Sequence, residues 1–323
     1  MNSRLRNLLA CASLVLAAAS SHAAEDLTLK QKIPLPGVEG RIDHFAVDAQ
    51  HGRLFVCALG NNTLEVVDLD KGERIGSIPC PGAPQGVGYD PESNRLLVAN
   101  DKGGICQLFD STNLKKLAEL NLKGDADNVR YDPTKHRFYV GYGSGGIAVV
   151  DARSGKLLSS LKVSGHPEAF ILEAGGPRIF VNIPTAREVA VLDRSKEAVV
   201  GSWKTDWAFS NFPMAFDADH HRLFVGCRMP ARLVVLDTDS GKPVAKLPIG
   251  GDTDDVFYDP RQRQLYVICG AGKVEVINQT DANTYSTADG ARTGLFIPER
   301  NLLVVAVPHR GSQPAELLLF SVN

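Results

Sequence analysis

Beyond its first two dozen residues the chain has no apolar run long enough to cross a bilayer. It has no basic run, and its 37 acidic residues outnumber the 35 basic ones. A nucleic-acid or anionic-membrane surface is therefore not expected. Cysteine is sparse: six in all, with no C-x-x-C or C-x-x-C-H spacing, which argues against thioredoxin-like chemistry and covalent haem attachment. There is no G-x-S-x-G elbow, no H-E-x-x-H, no phosphate loop and no Rossmann glycine motif between a strand and a helix. The glycines around Gly143-Ser144-Gly145-Gly146 read as a hairpin turn between strands. Covalent serine or cysteine catalysis has no support from these patterns.

What is present begins with an address. Arg4 and Arg6 precede a short apolar run from Leu8 to Ala19, and Ser21-His22-Ala23 offers small residues where a signal peptidase reads. Residues 1–23 are expected to be a secretory signal cut after Ala23, leaving residues 24–323 as one periplasmic or secreted domain with no membrane span. A lipoprotein reading through Leu8-Leu9-Ala10-Cys11 fits less well, because the apolar run lies mostly after Cys11. The five remaining cysteines, Cys57, Cys80, Cys106, Cys227 and Cys269, are odd in number, so one at least is unpaired. Those in strand-like runs read as small buried hydrophobes.

A repeat of about 42 residues runs through the rest. Asp48, Asp90, Asp132, Asp217 and Asp259 mark it, each followed by an arginine or glutamine and an apolar run. Glu173-Ala174 occupies the place of a missing marker, and Leu295-Phe296-Ile297-Pro298 begins a final copy, which makes seven units. Each unit but the last holds four short strand-like runs separated by Gly, Pro and Asp turns. In the third, Asp127–Tyr131, Arg137–Gly141, Ile147–Asp151 and Leu157–Val163 are the four. The runs are nearly all apolar, as in Leu54-Phe55-Val56, so each sheet must be covered on both faces. The prediction is an all-β, seven-bladed β-propeller of four-stranded blades. The last unit lacks a fourth strand, and Leu27–Ile33 supplies one, closing the ring. A closed ring leaves no edge that needs a partner, so a monomer is expected.

Stretches such as Ala58-Leu59-Gly60-Asn61-Asn62-Thr63-Leu64-Glu65-Val66-Val67-Asp68 and Leu236-Asp237-Thr238-Asp239-Ser240-Gly241-Lys242 carry a family likeness. Through them the chain resembles the exported YncE-like propellers with YVTN-type repeats, over the whole mature length. The resemblance implies export, a seven-bladed ring and often no assigned reaction. Wider relatives of that group include the propeller domains of haem d1-containing nitrite reductase, the haem d1 biosynthesis propeller and nitrous oxide reductase. Such a fold does not fix a function.

In a propeller, the links into the innermost strands and the loops between second and third strands open on one face. The residues at the strand entries are Asp43, Gln85, Asp127, Glu168, Phe212 with Asn211, Asp254 and Arg292, and His44, Asn128 and Asp255 come next in sequence. His166 precedes Glu168 by two, and the second-to-third-strand loops add Arg228, His309 and Arg310. All are expected around one mouth of the central channel, with Arg292 as a clamp between Asp254 and Asp43. The opposite face, built of Asp-Pro turns, is expected to be structural. Because strand neighbours point apart, Asp43 and His44 are not expected to form a dyad. Trp207 and Phe209 would line the mouth or pack as a lid.

Three readings follow. The first is a scaffold that binds a small molecule or a protein partner in the periplasm through the mouth. The second is a metal-assisted hydrolase of lactonase type, in which Asp43, Asp127, Glu168, Asn211 and Asp254 supply oxygen ligands and a general base, with Asp127 and Glu168 as the foremost ligands of Ca²⁺ or another divalent cation. The third, by analogy with the haem d1 propellers, is cofactor handling, with His44 or His166 as axial ligand and Arg228, Arg292 or Arg310 facing propionates. The alternative for each residue is that it merely satisfies backbone groups at a wet channel mouth.

Overall fold

The structure is a computed structural model that describes residues 26–205, 208–278 and 281–323. The expected signal at residues 1–23 and Trp207 lie outside the described residues. Strand β1 (Leu27–Pro34) stands apart from the blade that follows it in sequence. That first blade is β2 (Phe45–Asp48), β3 (Arg53–Ala58), β4 (Thr63–Asp68) and β5 (Glu73–Pro79), paired antiparallel in chain order. Five further blades repeat this plan, and with the blade that β1 completes they make a seven-bladed propeller.

The marker aspartates shape the first hairpin of each repeat. Asp48, Asp90, Asp132, Asp217 and Asp259 each accept a turn amide, from His51, Glu92, Thr134, Asp219 and Arg261, at 3.2, 3.0, 2.9, 3.1 and 2.9 Å. Four positions after each marker the chain takes a positive φ, at Gly52, Asn94, His136, His221 and Arg263. An aspartate that caps its own turn is what such a left-handed corner requires.

The seventh blade joins the two chain ends. β1 pairs antiparallel with Glu316–Val322, from Leu27 opposite Val322 to Pro34 opposite Glu316, outside Leu302–Val307 and Gly294–Ile297. Leu27 and Ile33 are fully buried. Ile33, Leu54, Val56, Ile297, Val304 and Leu317 share one apolar cluster, so the seam between last and first blades is sealed like a domain core. The cysteines Cys57, Cys80, Cys106, Cys227 and Cys269 are all buried and unpaired, and burial raises every one of their thiols.

Candidate functional site

The strand entries converge as the repeat requires. Asp43, His44, Gln85, Asp127, Glu168, Asp254, Arg228 and Arg292 line one polar cavity of about 190 Å³, joined by Arg41, Asp125, His166 and Phe212. Three of these lining residues, Arg41, Asp125 and His166, stand two residues before Asp43, Asp127 and Glu168, and Asp252, which pairs with Arg292 beside the cavity, stands two before Asp254. The repeated offset was legible in the sequence.

His44 is the centre of the site. Its Nδ1 lies 3.5 Å from Asp255 Oδ1, and its Nε2 lies 3.7 Å from Asp43 Oδ1 and 3.9 Å from Asp127 Oδ1. The expectation that Asp43 and His44 point apart is overturned. Residues 41–44 are not in a strand, so the alternation of strand side chains does not apply there. Burial opposes charging the imidazole, but the carboxylates of Asp255, Asp43 and Asp127 outweigh it and raise His44 to about 10.

The carboxylates divide into paired and unpaired. Asp254 accepts from Arg228 Nη2 at 2.6 Å and lies 2.9 Å from Arg292 Nε. Burial still carries it up to about 6 against those two guanidiniums. Arg292 also donates to Asp252 Oδ1 at 3.0 Å, while Asp43 takes its guanidinium from Arg41 at 2.9 Å. The clamp therefore joins Asp254 to Asp252, not to Asp43. Asp127 has only a long 3.4 Å bond from Asn128 and the distant His44. Burial, with Asp43 and Glu168 adding repulsion, raises it well above the usual carboxylate range. The Glu168 carboxylate has no hydrogen bond or ion pair among the described residues, and burial raises it to about 6. Gln85 donates to Asp125 at 2.7 Å, and His166 Nδ1 bonds the Gly143 carbonyl at 2.6 Å.

Other expected residues lie elsewhere. Asn211 is fully buried and donates to Asn182 Oδ1 and the Glu188 carbonyl, both at 3.0 Å, tying blades together behind the cavity. The pairing register shifts between Asn211 and Met214, so Phe212 takes the place at the mouth, beneath the Arg228 guanidinium at 3.9 Å. Asn128 is buried below Asp127 and accepts from Arg130 at 3.0 Å. His309 pairs with Glu39 and Arg310 with Asp289, each at 2.6 Å, outside the cavity lining. Phe209 stacks under Arg187 at 4.2 Å.

The two cofactor readings meet obstacles in the donors themselves. Both nitrogens of His44 face carboxylates, and Arg228, Arg292 and Arg310 are committed to aspartates. Among the described residues no group of three or more His, Cys, Asp or Glu side chains is arranged to hold a metal ion. The cavity lining also holds no serine, threonine or cysteine.

The opposite-face turns are structural as expected, but that face also opens into a larger channel of about 620 Å³, lined by the innermost strands of all seven blades and meeting the polar cavity at His44. Its walls are mainly apolar, which is why a search for polar strand entries passes over it. No family model matches the chain, and no curated protein matches it.

Proposed function

We propose that this chain is an exported, monomeric, YncE-like binding propeller whose polar mouth captures a small cationic group, a primary amine or guanidinium, in exchange for a proton. The carrying observation is the pair Asp127 and Glu168. These buried carboxylates lack a cationic partner in hydrogen-bond contact and hold protons more tightly than exposed ones do. A positive group placed between them relieves both desolvation and mutual repulsion, and so displaces a proton. A lining without hydroxyl or thiol nucleophiles favours binding over covalent chemistry. Export is supported by the charged start, apolar run and small residues of 1–23.

The test is calorimetric titration of the mature protein with putrescine and with Nα-acetyl-lysine amide at pH 6, in two buffers of different ionisation enthalpy. Saturable binding with proton release, weakened by at least about tenfold in Asp127→Asn/Glu168→Gln, is expected. Binding without a buffer-dependent heat, or equal binding by the double variant, refutes the reading. N-terminal sequencing of the exported protein should begin at Ala24.

A further inference from the structure

The central channel on the opposite face carries a separate inference. Two positions before the repeat marker, the innermost strands place one residue per blade against this channel. Six of the seven are Ala46, Gly88, Ile171, Ala215, Phe257 and Leu295, all small or apolar. The third blade alone has a charge there, Arg130.

That guanidinium is poorly matched. Its Nη1 bonds the Val129 carbonyl at 2.9 Å and its Nη2 bonds Asn128 Oδ1 at 3.0 Å. Both acceptors are neutral; no carboxylate contacts Arg130 among the described residues, and Asp255 and Asp127 act on it only from longer range. The Phe170 ring covers part of it at 5.6 Å. The other charges on the channel are already paired. At the inner end His44 faces Asp255, which also accepts the Gly294 amide at 2.9 Å, and at the rim Arg261 pairs with Asp259 at 2.9 Å. A guanidinium has five donors, and burial lowers the hold of Arg130 on its charge against the distant Asp255 and Asp127, so a contacting anion would satisfy donors that neutral oxygens leave over.

We propose that this channel is a second binding site, for an apolar molecule ending in a carboxylate, with Arg130 as the anchor of the acid group. The volume, about 620 Å³, lies within the range of pockets that enclose a small organic ligand. Met214, Val256, Ile171 and the aromatic rings of Phe45, Tyr89 and Phe296 provide the apolar wall, and the Arg130 fork matches a planar carboxylate. The site is on the opposite side of His44 from the amine mouth, and its test uses no amine, so the two proposals stand or fall separately.

The experiment is calorimetric titration of the mature protein with octanoate and with 1-octanol, for wild type, Arg130→Met, Arg130→Lys and Ala174→Trp. Ala174 is an exposed residue at the channel rim, and the indole narrows the entrance. Expected are one saturable octanoate site, weakened by at least about tenfold in Arg130→Met and by less in Arg130→Lys, with octanol binding retained. Ala174→Trp should weaken both ligands. No saturable octanoate binding by wild type overturns the proposal. So does octanoate affinity unchanged in Arg130→Met or, should that variant fail to fold, unchanged in both Arg130→Lys and Ala174→Trp.

Discussion

Replacing Glu168 by glutamine should stabilise the ligand-free protein, and only above a definite pH. Burial is the leading reason that its carboxyl rises from the ordinary 4.5 to about 6, with the Asp254 carboxylate adding to it and His166, His44 and Arg228 opposing. An acid raised in the folded state holds its proton there after the unfolded chain has released it. Its contribution to stability is therefore complete below pH 4.5 and is lost as the pH climbs through about 6. Above that range the charge costs folding about 2 kcal/mol, from 1.36 kcal/mol per unit of pKa. The amide keeps the shape and removes the charge. Melting temperatures of wild type and Glu168→Gln, followed by calorimetry from pH 4 to pH 8, should therefore coincide near pH 4 and separate toward pH 8. The variant should melt about 3 °C higher there, given an unfolding entropy of about 2.1 cal/mol/K per residue. A variant that melts lower at pH 8, or whose advantage is the same at pH 4, would show that Glu168 is paired in solution and would remove the basis of the amine site.

Deleting residues 24–34 takes away β1 with its buried Leu27 and Ile33, and should lower the melting temperature and expose the Glu316–Val322 edge. Size-exclusion chromatography should show association, and a monomer with unchanged melting would refute ring closure by this strand. Asn211→Ala leaves Asn182 and the Glu188 carbonyl short of a donor and should cost about 2 kcal/mol in denaturant unfolding. Amine affinity should be unchanged in that variant, and lost affinity at unchanged stability would place Asn211 in the mouth after all. Gly86→Ala would drive a methyl onto the Asp127 carbonyl oxygen. It should cost about 1–3 kcal/mol and weaken amine binding together, whereas a silent substitution would mean that the Asp127 backbone is not held there.

The ring was legible because a repeat of constant length multiplies one local pattern. Each capping aspartate, left-handed corner and apolar run recurs at the same offset, and β1 was recognisable as the missing strand of the last unit. The mouth was legible in part for the same reason, since the topology dictates where strand entries face. The failures have local causes. Asp43 and His44 come together because the segment is not yet a strand, and Asn211 turns inward because the ladder shifts register beside it. Arg310 and His309 are drawn to Asp289 and Glu39, partners more than twenty residues away that no strand offset predicts.

The apolar channel was missed because apolar residues that face a cavity and apolar residues that face a neighbouring blade look alike along the chain. The exception proves the means of detecting it. Stacking the repeats aligns Ala46, Gly88, Arg130, Ala215 and Phe257, and only the arginine breaks that column. Ala46, Ala215 and Phe257 also pack into the apolar layers between blades, so the column is apolar for packing reasons and only the charge at Arg130 draws attention to the space beside it. His44 lines both cavities, and the carboxylates beside it, Asp255 foremost, keep it charged where the two meet. On the two proposals above, the mouth with its unpaired Asp127 and Glu168 would take a cation and the channel with Arg130 an anion, and the titrations with amine and with octanoate test the two ends separately.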